Sequence, residues 1–458
     1  MQLYLFCLNL QLERKLIYIN FLSLIKRKVF IAILLNDNHY HTQLKRSIMR
    51  KYFMISTLFI SSTLVASPQV EIKSVRGILG AFDPIEHTTL QIRSGYISSH
   101  TDDELTNSAF AIGGHAHLYT KRYQGIKLGT SLYAVESFNQ QNHDNSLNPD
   151  FFDAKGNSFA TIAEAYIDAK WSKTNIKIGR QSLDTPHIDS DDIRMMPNYF
   201  NAYHITNNAI ENLTLKAGLV NKMAGWENGI DSSKFVSVAE VLGTGEKTDG
   251  IYFASALYEG IENLSMSLWY YHYDEIADLL YAEAIYDYTI ARDMSLALGV
   301  QYDSSQERGK ALFGEQNSHT FGASLELQLT YIGFAALLAY NHESSDNGAG
   351  ALSLGGGAFF TSMEDQTLDA MESKGEAWVV GAGYDGEKIG LDGVKLGVAY
   401  GSFQAEDKML YNTTEIDAVI EYALDDKLSL TLAYATIDDK TIEDNDFEQL
   451  RVIASYNF

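Results

Sequence analysis

Residues 179–200, GRQSLDTPHIDSDDIRMMPNYF, contain charged side chains that are close enough in sequence to act together. Carboxylate and guanidinium groups can form charge-assisted hydrogen bonds with each other or attract solutes of opposite charge. The prolines and aspartates also predict a long loop with polar turns. The residues of interest are Arg180, Asp184, Pro186, Asp189, Asp191, Asp192, Arg194 and Pro197.

Three other stretches could carry chemistry, but a simpler interpretation is favoured for each. His115 and His117 lie two residues apart and could bind a metal, yet no third ligand is evident, so we expect them to be polar side chains of a lumen. The glycine-rich run 348–360, GAGALSLGGGAFF, lacks a Gly-Lys-Ser/Thr phosphate motif and is predicted to be a flexible loop. The run 443–446, EDND, is predicted to be a solvated turn rather than a calcium site. The sequence therefore predicts no catalytic residue, metal site or cofactor.

These residues must be positioned by strands, because apolar residues alternate with polar ones through most of the chain after residue 67. Most of the alternating segments are about ten residues long, as in transmembrane β-strands. There are eighteen of them: 88–98, 107–120, 126–138, 160–172, 175–181, 201–207, 213–223, 250–258, 264–273, 278–288, 294–303, 319–331, 332–343, 376–385, 394–406, 414–424, 428–437 and 447–458.

The links between the segments favour an outer-membrane β-barrel. Short turns, such as 172–174 and 425–427, join some segments, and long loops, such as 139–159 and 344–375, join others. A soluble β-sandwich or β-solenoid would also alternate, but it would not need aromatic residues at the strand ends. Here Tyr286, Tyr288 and the run 269–273, WYYHY, lie at strand ends, which predicts the aromatic girdle of a barrel.

The first 66 residues are predicted to be separate from the barrel. Residues 49–66 have the basic start, apolar run and small final residues of a secretory signal peptide. Residues 1–48 are then either a leader or a consequence of a misassigned start at Met1 rather than Met49. We expect the barrel to comprise residues 67–458, and the single cysteine, Cys7, lies outside it, so the barrel has no disulfide.

The charge of the chain limits its partners. The formal net charge is −24 at pH 7, although residues 1–66 hold nine of the 35 Lys and Arg and only two of the 59 Asp and Glu. The remaining chain is therefore still more acidic, and nucleic acid is an unsuitable partner for it.

The final segment, LRVIASYNF, has apolar residues at every second position from Leu450 to Phe458. In a closed barrel the last strand pairs with the first, so Tyr456 and Phe458 can face lipid at the interface. A terminal Phe after such a strand resembles the insertion signal of bacterial outer-membrane proteins. This resemblance implies a Gram-negative outer membrane, with lipids, lipopolysaccharide and the assembly machinery as partners.

The loop at 179–200 closely resembles the third-loop signature of the OprD-type porins, the outer-membrane carboxylate channel family. In that family a strand ending in Gly-Arg-Gln enters a loop with a Pro, an Asp pair and Arg-x-x-Pro before an aromatic residue. The resemblance implies an all-β transmembrane barrel of eighteen antiparallel strands, with this loop folded inward to narrow the pore. The matching residues are Gly179, Arg180, Gln181, Pro186, Asp191, Asp192, Arg194, Pro197 and Phe200.

If apolar residues face lipid, the alternation places a set of basic residues on the inner wall. The family resemblance implies that such a row guides carboxylate groups, although the same charges could simply balance luminal acids such as Glu164, Asp168, Glu415, Asp417 and Glu421. The loop aspartates are expected to face this wall, unless the loop lies outside the pore in solvent. The predicted wall residues are Arg93, Lys127, Lys170, Lys177, Arg180, Lys216, Lys395 and Arg451.

The sequence therefore predicts a porin for passive diffusion of small polar solutes or ions, with selectivity for carboxylates or amino acids as one form of it. A barrel with an enzymatic or adhesive role is the alternative. An enzyme would need a catalytic site at the barrel rim, and long loops such as 344–375 could bind other partners in an adhesive role. The sequence leaves both a monomer and a homotrimer open.

Overall fold

The computed structural model describes residues 85–102, 106–138, 147–345 and 352–458. The predicted leader, 1–48, and signal peptide, 49–66, lie outside the described residues.

The alternating segments form one antiparallel sheet that closes on itself. Nineteen strands belong to it, and β8 is a two-residue strand that pairs only with β7, so eighteen strands form the wall. The strands are β1 (Ile85–Thr101), β2 (Asn107–Thr120), β3 (Ile126–Glu136), β4 (Phe159–Trp171), β5 (Thr174–Gln181), β6 (Tyr199–Asn207), β7 (Leu213–Ala224), β8 (Val236–Ser237), β9 (Ile251–Ile261), β10 (Leu264–Tyr273), β11 (Ala277–Ala291), β12 (Met294–Glu307), β13 (Asn317–Leu329), β14 (Phe334–Glu343), β15 (Gly375–Asp385), β16 (Val394–Ala405), β17 (Asn412–Ala423), β18 (Leu428–Asp439) and β19 (Phe447–Asn457).

Each wall strand pairs with its neighbours in sequence, and β1 closes the barrel by pairing with β19. Their register runs from Gln91 opposite Asn457 to Thr101 opposite Phe447. Closure satisfies the backbone groups of both edge strands, which a strand in lipid requires. The predicted eighteen-stranded barrel is confirmed, and the eighteen predicted segments match the wall strands with shifts of a few residues at their ends.

Helical structure is short and lies in the connections. In the described residues, one α-helix spans Val238–Val241, and 3₁₀ helices span Pro149–Phe151, Trp226–Asn228, Leu368–Met371 and Gly386–Ile389. No helix in the described part of the chain has the length and apolar character needed to cross a membrane.

The long connections are numbered here from the β1–β2 link onward, on the side opposite the turn at 172–174. Four of them are used below: loop 2 (137–158), loop 3 (182–198), loop 4 (225–250) and loop 7 (344–374). Residues 139–146 of loop 2 and 346–351 of loop 7 are outside the described residues.

The aromatic run 269–273 does not form a girdle as the sequence predicted. Of its four Trp and Tyr side chains, Tyr270 is outward and exposed, while Trp269, Tyr271 and Tyr273 point inward and are buried. The strand alternates, so adjacent aromatics must face opposite sides of the wall. Tyr286 and Tyr288 are exposed on the outward face, as a girdle requires.

The closing strand presents an aromatic pair on its outward face. The Tyr456 and Phe458 rings meet edge to face with centroids 4.9 Å apart, and the Phe458 backbone N–H donates to Leu90 O at 3.0 Å.

We expect Phe458→Asp to lower the amount of folded protein in the outer membrane without lowering synthesis. A charge at the lipid interface costs up to about 1 kcal/mol, and the predicted insertion signal loses its aromatic residue. The heat-modifiable band in outer-membrane fractions measures folded protein. Tyr123→Asp, at an exposed aromatic in a short turn, is the control, and equal levels of the two variants would contradict the prediction.

Candidate functional site in the barrel lumen

Two predicted wall arginines lie on the two strands that close the barrel, four residues apart in the register. Arg93 on β1 is opposite Ser455 of β19, and Arg451 on β19 is opposite Ile97 of β1. Both guanidinium groups are inward and almost fully buried. A buried charge needs a partner, and loops inside the barrel supply it.

Loop 3 supplies the partner of Arg93. The Arg93 guanidinium donates to both carboxylate oxygens of Asp192, at 2.5 and 2.8 Å, and Nη1 also donates to the backbone oxygen of Arg194 at 2.7 Å. This fork-shaped arrangement is the strong form of the ion pair. Loop 3 joins β5 to β6, so these contacts take it across the lumen to β1.

The backbone of β1 makes room for loop 3. A Cβ atom on Gly95 would lie 2.8 Å from the Met195 sulfur and 2.8 Å from the Phe151 ring. Glycine in a strand permits such close approach. Met195 is buried with Phe151, Phe152 and Ile97, which anchors this part of loop 3 by apolar packing.

Arg194 connects loop 3 to three other segments. Its side chain is 1% exposed and donates to Asp150 of loop 2 at 3.1 Å and to Gln449 of β19 at 3.1 Å. Its guanidinium also lies over the Trp226 ring of loop 4, 4.1 Å from the centroid. Because a planar guanidinium has five donors in fixed directions, one arginine can hold several segments together.

The opposite end of loop 3 is held by His187, a residue that the sequence analysis did not select. His187 Nε2 lies 2.6 Å from Asp303 Oδ2 on β12, and Nδ1 lies 3.1 Å from Ser353 Oγ in loop 7. The Tyr271 hydroxyl of β10 also donates to Thr185 at 3.0 Å. Loop 3 therefore lies within the barrel, fixed to β1 on one side and to β10 and β12 on the other.

Loop 7 is a second inward loop. Residues 352–360 of the predicted flexible run are packed inside the barrel, and residues 348–351 of that run lie outside the described residues. Within its described part, Phe359, Phe360, Met363, Leu368 and Met371 are buried against inward apolar residues of the wall. Those wall residues are Leu337, Ala339, Ala377, Val379, Ala399 and Phe403. A water-filled lumen is normally polar, so an apolar inner wall requires a cover, and loop 7 provides it.

Polar side chains of the wall also hold the backbone of loop 7. Gln301 accepts from Phe360 N at 3.0 Å and donates to Ala358 O at 2.6 Å. On β17, Glu415 accepts from Asp365 N and Gln366 N, both at 2.9 Å. Backbone groups in an inward loop are thus satisfied by the strands that surround it.

The two inward loops also bind each other. Leu354 N donates to His187 O at 2.8 Å, and Asp189 N donates to Leu354 O at 3.1 Å. These bonds form a short parallel bridge between Ile188 and Leu354. Loops 3 and 7 therefore form one layer in the lumen.

The remaining predicted loop residues have different surroundings. Pro186 and Pro197 lie in the loop, and the exposed Asp184 accepts from Ser190 N at 3.2 Å. Burial and the neighbouring Asp184 carboxylate raise the pKa of Asp189 to about 7. Burial, followed by the charges of Glu227 and Asp189, raises the pKa of Asp191 well above its ordinary value. Asp184, Asp189 and Asp191 of loop 3 and Glu227 of loop 4 thus form an acidic group.

The predicted lysines lie on the inward face of their strands. Lys177 Nζ is 4.1 Å from the Tyr166 ring centre, and Lys216 Nζ is 5.6 Å from that of Trp269. Lys127 pairs with Glu86 at 3.4 Å. Lys170 and Lys395 are exposed near the short turns. Lys177 and Lys216 have no carboxylate within 4.0 Å among the described residues, whereas Arg93, Arg194 and Arg451 each have one.

Arg180 differs from the predicted set, because it is on the outward face. It pairs with Ala165 and Asn201, next to the exposed Ile178. Its Nη1 donates to Ile162 O at 2.9 Å, and its guanidinium lies over the Phe235 ring of loop 4. Side chains alternate along β5 up to Gln181, so Arg180 lies on the same outward face as Ile178 and on the opposite face from Lys177.

His115 and His117 both point inward on β2, as predicted. Their ring centroids are 4.2 Å apart, and His117 Nδ1 is 3.0 Å from Glu164 Oε2. Across the described residues, no three His, Cys, Asp or Glu side chains are arranged to hold a metal ion.

Comparison with known proteins agrees with this architecture. Residues 105–458 match the family described as outer membrane porin, OprD family. Porin D of Pseudomonas aeruginosa is 24% identical over 260 residues, which cover 54% of this chain and 56% of that protein. The matched part thus spans little more than half of Porin D.

Solved structures show the same fold. OpdK of Pseudomonas aeruginosa, solved with vanillate, is 18% identical, with a TM-score of 0.69 over 81% of this chain and 98% of that chain. A BenF-like porin from Pseudomonas fluorescens gives the same identity, TM-score and coverage.

The matched family confirms the predicted outer-membrane location, and family and fold together point to a channel rather than an enzyme. Since the family match extends over most of the chain and all but the first strand, the chain belongs to the OprD family of outer membrane porins.

Proposed function

We propose that the chain forms a water-filled pore for passive diffusion of small polar solutes, and that it favours solutes carrying both a carboxylate and a positive group. The observation that carries this proposal is the distribution of ionisable side chains that have no partner of opposite charge in contact in the lumen. Among the described residues, Lys177 and Lys216 on one wall have no carboxylate within 4.0 Å, and the acidic group of loop 3 and Glu227 has no arginine within 4.0 Å.

The arginines contribute little to solute attraction in this proposal. Arg93, Arg194 and Arg451 are paired with Asp192, Asp150 and Glu364, so each guanidinium charge is largely neutralised. The basic row that guides carboxylates is therefore reduced to the lysines. Asp184 is near enough to attract both Lys177 and Lys216. This attraction supports a passage that has opposite charges on its two sides.

Charges on opposite sides of a narrow passage attract opposite ends of a dipolar solute while binding neither strongly. This supports zwitterions and small carboxylates over neutral sugars of similar size. OpdK, a structural relative, was solved with the carboxylate vanillate, which is consistent with the carboxylate part of the proposal.

The double variant Lys177→Glu/Lys216→Glu is expected to shift ion permeability toward cations and to slow the entry of small carboxylates more than that of neutral sugars. Both changes replace a positive charge on the passage wall with a negative one. Reversal potentials in a salt gradient and swelling of protein-containing liposomes measure the two effects.

Lys173→Glu is the matched control, because Lys173 lies in the exposed turn between β4 and β5. A double variant whose reversal potential equals that of this control would exclude the lysines from the selectivity. Liposomes that stay tight to salts and small sugars with the unaltered protein would exclude the pore itself.

We infer the partners of the barrel from its outward, lipid-facing surface. Exposed apolar side chains on the outward face of the wall support contact with lipid and lipopolysaccharide. We also propose that the assembly machinery recognises Tyr456 and Phe458, and that a homotrimer forms through the apolar band.

A further inference from the structure

The carboxylate of Glu364 in loop 7 lies between two buried arginines from different segments. Arg451 of β19 donates to both of its oxygens, with the Nη2–Oε2 bond at 3.2 Å. Arg194 Nη1 of loop 3 lies 3.6 Å from Oε1. One carboxylate thus links loop 7, loop 3 and the strand that closes the barrel.

Glu364 remains charged at neutral pH. Burial alone would raise its pKa, but the charges and hydrogen bonds of Arg451 and Arg194 outweigh burial and hold the pKa below its ordinary value. The other acids nearby, Asp365 and Asp417, are not substitutes, because neither forms an ion pair with an arginine among the described contacts. Neutralising Glu364 would leave Arg451 without a carboxylate within 4.0 Å among the described residues, close to Arg194, which would keep Asp150. Like charges in a low dielectric repel.

The layer formed by loops 3 and 7 has a second attachment that does not involve Glu364. His187, Ser353 and Leu354 join the loops at the β10–β12 side of the barrel. Loss of the Glu364 junction would therefore separate loop 7 from Arg194 and from β19 on one side of the barrel, while the other contacts of each loop with the wall keep both loops inside it. A shift of loop 7 away from loop 3 on that side widens the passage without removing either loop.

We propose that Glu364 is a positioning residue that sets the aperture of the pore by holding loops 3 and 7 together against β19. The inference rests on the proposed pore function. No solute needs to contact Glu364, which acts through Arg194 and Arg451.

Single-channel recording of Glu364→Gln in planar bilayers tests the proposal. The side chain keeps its size and loses its charge, and the conductance is expected to rise about twofold, with reversal potentials closer to those of free diffusion. Glu406→Gln is the matched control, because Glu406 forms an exposed ion pair with Lys374 at 2.8 Å near the end of loop 7. Heat-modifiable migration establishes that each barrel is folded.

A double-variant cycle separates positioning from general loosening. If Glu364 acts through Arg194, Glu364→Gln/Arg194→Met will conduct no more than the larger single variant, since both changes break one junction. Glu364→Asp keeps the charge on a shorter side chain, and its conductance is expected to lie between those of wild type and Glu364→Gln. If Glu364→Gln does not fold, the conductance of Glu364→Asp is expected to exceed that of wild type.

Folded Glu364→Gln with wild-type conductance and selectivity would overturn the inference while leaving the pore function intact. Additive effects in the double variant, or a Glu364→Asp variant identical to wild type when Glu364→Gln cannot be folded, would do the same. An unaltered protein that opens no channels would overturn both proposals.

Discussion

Replacing residues 185–196 with a short glycine–serine linker will raise single-channel conductance several-fold and flatten charge selectivity. The deleted segment contains His187, Asp192 and Arg194, whose partners lie on β12, β1 and β19. Because these contacts lie on distant strands, the segment crosses the lumen. Its removal therefore widens the open cross-section and also removes three of the four loop 3 aspartates, Asp184 being retained. Planar-bilayer recording and reversal potentials measure the two changes.

Shortening the exposed loop at 440–446 serves as the control for this deletion, because that loop contributes no contact to the lumen layer within the described residues. Unchanged conductance of the residue 185–196 variant in a correctly inserted barrel would mean that loop 3 does not limit flow.

Replacing residues 357–366 of loop 7 with a linker will raise conductance and also lower the thermal stability of the folded barrel. Phe359 and Phe360 are almost fully buried against the wall, and burial of such a side chain contributes about 1.5–3 kcal/mol. Their loss also exposes Leu337, Val379 and Phe403 to water. The temperature at which the heat-modifiable band converts to the unfolded form reports the stability change.

Deletion of residues 407–410 provides the comparison for loop 7. That segment contains Met409 and Leu410, which are exposed apolar residues that cover no wall. If both deletions lower the conversion temperature equally, the apolar contacts of loop 7 do not account for its effect.

The strands could be predicted because membrane and lumen impose different requirements on alternate residues. The same alternation predicts Arg93 and Arg451 on the inner face of their strands, and both side chains are buried. Loop 3 could be anticipated from its charges and prolines together with the family resemblance. Its individual partners could not, because Asp192 with Arg93 and Arg194 with Asp150 are pairings between segments whose approach depends on the complete barrel.

The inward position of loop 7 is indicated in the sequence by the composition of the neighbouring strands, not by that of the loop. Segments 334–340, FAALLAY, and 377–382, AWVVGA, are apolar on both faces. A strand that is apolar on both faces is covered on both faces, so these two segments indicate an apolar cover inside the barrel. The composition of the glycine-rich run itself gave no indication that it lies against this wall.

The position of β19 in the chain has a consequence for the order of assembly. Gln449 and Arg451, which hold Arg194 and Glu364, belong to the last strand of the barrel, and Arg194 and Gln449 are 255 residues apart in sequence. Contacts between residues so far apart form late, because a long chain segment must be ordered first. The lumen layer therefore acquires its final attachments only after β19 has joined the sheet. A barrel that has not yet closed has its wall but no finished constriction, so the selective passage is the last part of the molecule to mature.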